Sequence, residues 1–203
     1  MHISEGVLSA PVLLTGGGLA LAGLAVGLWK MDARSIPRAG VLASAFFVAS
    51  LVRVPLGPVY VHLVLNGLLG ALLGWVAVPT ILASLILQAL LFQVGGFTTL
   101  GVNTVIMALP AVGVHLLGRP FLLSSRSWIS GTGAFLGGAG AVALAAALMG
   151  ASLLLSGEAF REVAKFTVLA HLPVMGVEGV LTVMAIRFLR KVKPEILESQ
   201  SWN

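Results

Sequence analysis

Cysteine is absent from the 203 residues, and charged side chains make up only 9% of them. The first absence removes any disulfide framework and any thiolate metal site, so a bound metal has to use nitrogen, oxygen or methionine sulfur. The second excludes a soluble surface, which normally needs about a quarter of its residues charged. Aromatic residues are also scarce, at 7%. What the chain has in quantity is apolar and small: 58% hydrophobic residues and 25 glycines, a balance that suits membrane helices whose backbones approach through small side chains. Six to eight spans of ~20 residues fit the length, and no separate soluble domain does.

The net charge of +5 would suit nucleic acid if the basic residues formed a patch, but they fall in short loops and the tail, where they report topology. Nucleic acid is therefore not an expected partner; the lipid bilayer is. The first apolar run is not a cleavable signal peptide either, since nothing basic precedes it and Glu5 stands in place of a positive n-region.

The pattern predicts an all-α membrane protein, one integral domain over 1–203, with seven spans at about 11–29, 39–52, 63–78, 80–93, 104–117, 128–155 and 166–189. Gly16, Ala20, Gly23 and Gly27 place small residues along one face of the first span, and Gly133, Gly137, Ala141 and Ala145 do the same in the sixth. Arg53, Pro55 and Pro58 end the second span, and Pro79 is expected to allow only a tight turn between the third and fourth. The fourth is short and runs into Gly95–Asn103, a glycine-rich polar segment that must be buried in protein or line a cavity at membrane depth.

With the amino terminus outside, nine of the twelve basic residues fall on the cytoplasmic side (Lys30, Arg34, Arg38, Arg119, Arg126, Arg187, Arg190, Lys191 and Lys193), leaving Arg53, Arg161 and Lys165 outside. Met1, His2, His62, the Gly95–Asn103 segment and His171 then share the external half. His115 falls at the other side and is expected at the interface.

The opening Met1–His2 carries a terminal amine, the amide nitrogen of residue 2 and an imidazole, spaced to close five- and six-membered rings on one metal ion. Retention of Met1 is expected because His2 is not small. Planar nitrogen donors suit Ni(II) or Cu(II) before the tetrahedral Zn(II). The bland alternative is a frayed, solvated terminus. His62 stands between Val61 and Leu63 where an apolar span begins, and is either a hydrogen-bonded structural histidine or the fourth nitrogen. Gln88, Gln93, Thr98, Thr99 and Asn103 are neutral groups fitted to hold the terminal segment and orient imidazoles, and Asn66 lies in the same polar set. His171, Met175 and Glu178 share one face of the last span. Glu178 is the one carboxylate well inside an apolar span, so a partner or a function is expected for it.

Four stretches together resemble the CbiM/NikM family, the substrate-capture membrane subunits of energy-coupling-factor importers for cobalt and nickel. They are MHISEGVLS at the start, HLVLNGLLGALLG from His62, QALLFQVGGFTTLGVNTVIM from Gln88 and HLPVMGVEGVLTVMAIRFL from His171. The resemblance covers nearly the whole chain. It implies seven helices, an amino terminus tucked into the bundle from outside, and a near-planar site made by the Met1 amine, the His2 amide and imidazole, and the His62 imidazole. It implies Co(II) or Ni(II) as transported substrate, no tightly bound organic cofactor, and ATP hydrolysis in partner subunits rather than here. The implied partners are a transmembrane coupling subunit, cytoplasmic ATPase subunits and a small accessory membrane subunit, in a bacterial cytoplasmic membrane. The chain departs from the commoner pattern at Val61 and Val94, where polar residues are frequent. Two other classes compete: a capture subunit for a small organic vitamin, opposed by the lack of aromatics near the polar cluster other than Tyr60 and Phe97, and an intramembrane hydrolase, opposed by the lack of a nucleophile-elbow serine.

Overall fold

The computed structural model describes residues 2–57 and 59–198. Its helices are α1 (Ala10–Trp29), α2 (Ser35–Leu51), α3 (Asn66–Leu73), α4 (Ala77–Phe92), α5 (Leu100–Gly113), α6 (Arg119–Leu122), α7 (Ser127–Ser156), α8 (Arg161–Ala170), α9 (Leu172–Val192) and α10 (Glu195–Glu198). Strands β1 (Val54–Leu56) and β2 (Val59–Val61) form an antiparallel hairpin between α2 and α3. By length and composition five helical stretches could cross a membrane: Ala10–Trp29, Asn66–Phe92, Leu100–Leu122, Ser127–Ser156 and Glu158–Val192, with the shorter apolar Ser35–Leu51 beside them.

The stretch Asn66–Phe92 is two passes rather than one. Asn66 donates to the Met107 carbonyl, Gly70 lies on Ala111 and Gly74 on the His115 ring, so α3 runs down beside the second half of α5. At Gly74 φ is +59°, a conformation that favours glycine, and after one 3₁₀ turn α4 runs back up beside α2, where Ser84 bonds the Ala43 carbonyl and Gln88 reaches Ser50. Pro79 sits inside the first turn of α4, where its missing N–H goes unused. The reversal expected at Pro79 is thus made five residues earlier by Gly74. About seven helical passes result.

The expected third span also starts late. Residues 59–65 enter the bundle as strand and irregular chain, and α3 begins only at Asn66, level with Met107. Met107 lies seven residues, about 10 Å at 1.5 Å per residue, below the start of α5 at Leu100. The period-two hairpin before it hid in an apolar run too short to separate strand from helix. The last pass is likewise broken, at His171, where Pro173 starts a new helix. In α5, Pro110 removes one backbone donor, and a π-helical turn, Val114–Gly118, follows.

Small residues make the close contacts the sequence pattern indicates. Gly16 packs on Val102, Gly27 on Pro79 and the Trp75 carbonyl, Gly67 on the Gly137–Gly138 backbone, Gly133 on Phe121 and Gly138 on Glu178 and Thr182. His115, expected at the interface, is instead buried, its ring laid over Gly74. We expect Gly70→Ala, whose Cβ would meet the Ala111 backbone, to destabilise by about 1–3 kcal/mol through overpacking. Gly140→Ala, with nothing within 4 Å, should leave the thermal midpoint unchanged in the same detergent.

Candidate metal centre

The amino-terminal segment lies inside one end of the bundle. Ile3 is buried, its N–H donates to Asn103 Oδ1 (3.0 Å), and its carbonyl accepts from Asn103 Nδ2 (3.0 Å) and Thr99 Oγ1 (2.9 Å). Asn103 can do this because a carboxamide carries both a donor and an acceptor. Further along, the Glu5 carboxylate accepts the Thr98 N–H at 3.2 Å, and the Ser9 N–H donates to Ser156 Oγ at 3.1 Å. Gly95, at φ +78°, leaves the room in which Asn103 and His2 approach the chain. The polar glycine segment is therefore the clamp for residues 3–5.

This clamp presents His2 to His62. Nδ1 of His2 stands 3.1 Å from Nε2 of His62, and the ring centroids are 4.9 Å apart. His62 is 4% exposed. Its Nδ1 bonds the Leu63 carbonyl at 2.8 Å; a carbonyl only accepts, so Nδ1 carries the proton and Nε2 keeps its lone pair toward His2. His2 Nδ1 is then the donor of the pair, and its own Nε2 bears the other lone pair. Both rings lie outside the helical spans. Burial holds each imidazole well below the usual value of about 6.5, which favours the neutral form that can ligate.

Two nitrogens 3.1 Å apart can share one ion. At metal–imidazole distances of about 2.0–2.1 Å they subtend roughly 95–102° at it, the angle of two adjacent donors in a plane. Among the described residues no group of three or more His, Cys, Asp or Glu side chains could hold a metal. Met1 lies outside the described residues.

Gln88, one of the neutral groups expected to orient imidazoles, is the one that stands beside His2. It is fully buried, its Nε2 donates to Ser50 Oγ at 2.6 Å, and its carboxamide faces the His2 ring. His2 Nε2 and Gln88 Oε1 both lack a hydrogen-bond partner among the described residues. The signal was a lone glutamine in the otherwise apolar turns of α4. Of the other sequence candidates, Thr99 and Asn103 join the clamp. Asn66 bonds the Met107 carbonyl and the Gly67 N–H, Thr98 is exposed and contributes its backbone, and Gln93 is exposed at the end of α4. His171 is buried with Nδ1 on the Thr167 carbonyl (2.7 Å), and Glu178 Oε1 accepts the N–H groups of Val64 and Leu65. Neither bond joins the two residues to each other. Val61 and Val94 are buried and apolar beside the site.

With that geometry in place, the family comparison is decisive: the family described as "cobalt uptake substrate-specific transmembrane region", CbiM, matches residues 2–196. The chain belongs to the CbiM family. It is 40% identical to a putative metal transport protein of Haemophilus influenzae, over 97% of each chain. It is 34% identical to the cobalt transport protein CbiM of Sorangium cellulosum, over 98% of this chain and 95% of that one. A putative fused nickel transport protein, NikMN, of Archaeoglobus fulgidus is 29% identical over 99% of this chain, which spans 69% of it. A crystal structure of a transition metal transporter superposes with a TM-score of 0.74 at 28% identity, covering all of this chain and 98% of that one. This CbiM-family protein is thus a multi-pass membrane component of cobalt or nickel uptake.

Replacing Asn103 by Leu removes both bonds to Ile3 at once, at about 1 kcal/mol each. We expect hydrogen exchange of residues 2–8 to rise roughly tenfold or more, with exchange in α7 unchanged.

Proposed function

We propose that this subunit captures Co(II) or Ni(II) from outside the cell with four nitrogens: the Met1 amine, the His2 amide and imidazole, and the His62 imidazole. The observation that carries the reading is the 3.1 Å approach of His2 Nδ1 to His62 Nε2 in a buried pocket reached by a pinned terminus. Deprotonated nitrogen donors of this kind favour late first-row divalent ions. The amide binds as an anion, so the ion enters a low-dielectric site with half its charge offset.

Capture moves protons within the residues seen here. His2 Nδ1 gives up the hydrogen it donates to His62, and the neutral ring takes its proton at Nε2, where Gln88 Oε1 stands without a donor. Gln88 thereby holds the ring in the ligating tautomer. The amine and the amide release theirs, which makes affinity fall as acidity rises. A transmembrane coupling subunit, cytoplasmic ATPase subunits and a small accessory membrane subunit complete an energy-coupling-factor importer in the bacterial cytoplasmic membrane. ATP-driven movement of the coupling subunit reorients this one for release. The amino terminus is outside and the carboxyl terminus cytoplasmic, consistent with nine of twelve basic residues on the latter side.

The decisive comparison is calorimetry with Ni(II) and Co(II) on the chain with a native Met1 amine and on one carrying a single Gly before it. Binding should be tight to the first and lost by 100-fold or more in the second; equal binding by both sinks the chelate. Gln88→Leu, lacking the acceptor, should weaken Ni(II) about tenfold. For the native chain, lowering the pH from about 8 to 5 should weaken binding progressively, since the terminal amine gains a proton in that range and the amide proton must still be displaced; affinity insensitive to pH would count against amine and amide ligation.

A further inference from the structure

We infer that Glu178 is a positioning residue for the ion site, acting through the backbone of the segment that carries His62. This rests on the capture reading above. Glu178 lies on α9, fully buried, and its Oε1 accepts the N–H groups of Val64 (2.5 Å) and Leu65 (2.8 Å). Those two donors stand where the entering chain turns into α3, and the turn is made by Leu65 at φ +53°, a left-handed conformation that a leucine adopts only when its surroundings impose it. Leu65, at the N-cap position of α3, has no side-chain acceptor, and Asn66 takes the Gly67 N–H but not those of Val64 and Leu65. Glu178 supplies, from another helix, the acceptor for the two N–H groups just ahead of α3.

The same pair of bonds sets the orientation of the peptides around Leu63. The Leu63 carbonyl holds Nδ1 of His62 at 2.8 Å and so fixes which nitrogen is offered to His2. The chain of contacts is short: Glu178 to the Val64 and Leu65 amides, the adjoining Leu63 carbonyl to the imidazole, the imidazole to the site. Glu178 lies close against α7, because Gly138 leaves room there for the Glu178 carbonyl and the Thr182 hydroxyl, and within α9 Thr182 bonds that carbonyl at 2.8 Å. At the other end of α9, Arg190 donates to the carbonyls of Leu122 and Ser124. One helix therefore holds the His62 segment at one end of the bundle and the α6–α7 connection at the other. Displacement of α9 against α3 withdraws the His62 nitrogen from the ion.

The test uses the full chain with its native terminus in detergent, Ni(II) chloride as probe, and Glu178→Gln, Glu178→Asp and Glu178→Leu. A Gln oxygen still accepts both N–H groups, so Glu178→Gln should bind within about threefold of the parent with the visible Ni(II) absorption bands unchanged. Glu178→Leu has no acceptor and should lose tenfold or more, with altered bands from a displaced imidazole. Glu178→Asp, one methylene short, should fall between them, and serves if the leucine variant fails to assemble. Parental affinity and bands in the leucine or the aspartate variant overturn the inference. Equal loss in the glutamine and leucine variants also overturns it, because the carboxylate would then act by charge and not as a backbone acceptor. Hydrogen exchange of residues 62–66 in the metal-free chain separates this from the capture reading: faster exchange in Glu178→Leu supports the inference even if no form binds Ni(II), and unchanged exchange refutes it even if all forms bind.

Discussion

A backbone N–H that leaves helical geometry inside a bilayer has no water to fall back on, and an unsatisfied one costs several kcal/mol. Among the described residues the chain leaves helical geometry inside the bundle at the entry over residues 59–65 and at the terminal segment, and in both other residues supply acceptors. The chain from Val59 to Leu65 enters the bundle unhelical, and Glu178 on α9 takes its last two N–H groups. The terminal residues enter between the same passes, and Asn103 and Thr99 satisfy Ile3 on both its backbone atoms. Irregular chain at depth is what allows backbone and imidazole nitrogens to face one another; a continuous helix would have spent the backbone groups on itself.

The small residues follow from the same constraint. An entering loop and the half-length helix α3 fit among the longer helices only if neighbouring backbones come close. The glycines on α3 answer to α7 and α5: Gly67 on Gly137–Gly138, Gly70 on Ala111. Gly74 serves twice, turning the chain at φ +59° and making room for His115. Close approach in turn gives many dispersion contacts where the hydrophobic effect is absent between lipid and protein.

Long, uniformly apolar elements were legible in the sequence: α1 and α7 fall within a residue or two of the expected spans, and their glycine faces pack as the spacing indicates. The breaks were not. Residues 63–78 read as a third span because hydropathy does not register backbone direction, and the fold instead enters as a hairpin and loop, starts α3 at Asn66 and reverses at Gly74. A proline is a visible breaker, yet Pro79 is harmless in a first helical turn. The His2 and His62 pairing was reachable from the motifs, but the carbonyl that orients His62 belongs to Leu63, an ordinary apolar residue. Backbone acceptors leave no mark in a sequence. For the same reason Gln93 and Gln88, five residues apart and chemically alike, could not be ranked beforehand; the first ends α4 in the open and the second faces His2.

On the capture reading, a site built from a chain terminus and two imidazoles also avoids an electrostatic difficulty. Buried carboxylates would attract a divalent ion more strongly, but each would have to be carried uncompensated whenever the ion is absent. Here the two rings satisfy each other, His2 Nδ1 donating to His62 Nε2, so neither facing nitrogen is orphaned. The orphaned atoms, His2 Nε2 and Gln88 Oε1, sit one step back, where a proton moved around the ring joins them. On the capture reading, taking up the ion exchanges one hydrogen-bonded arrangement for another, the proton leaving the nitrogen that faces His62 for the one that faces Gln88.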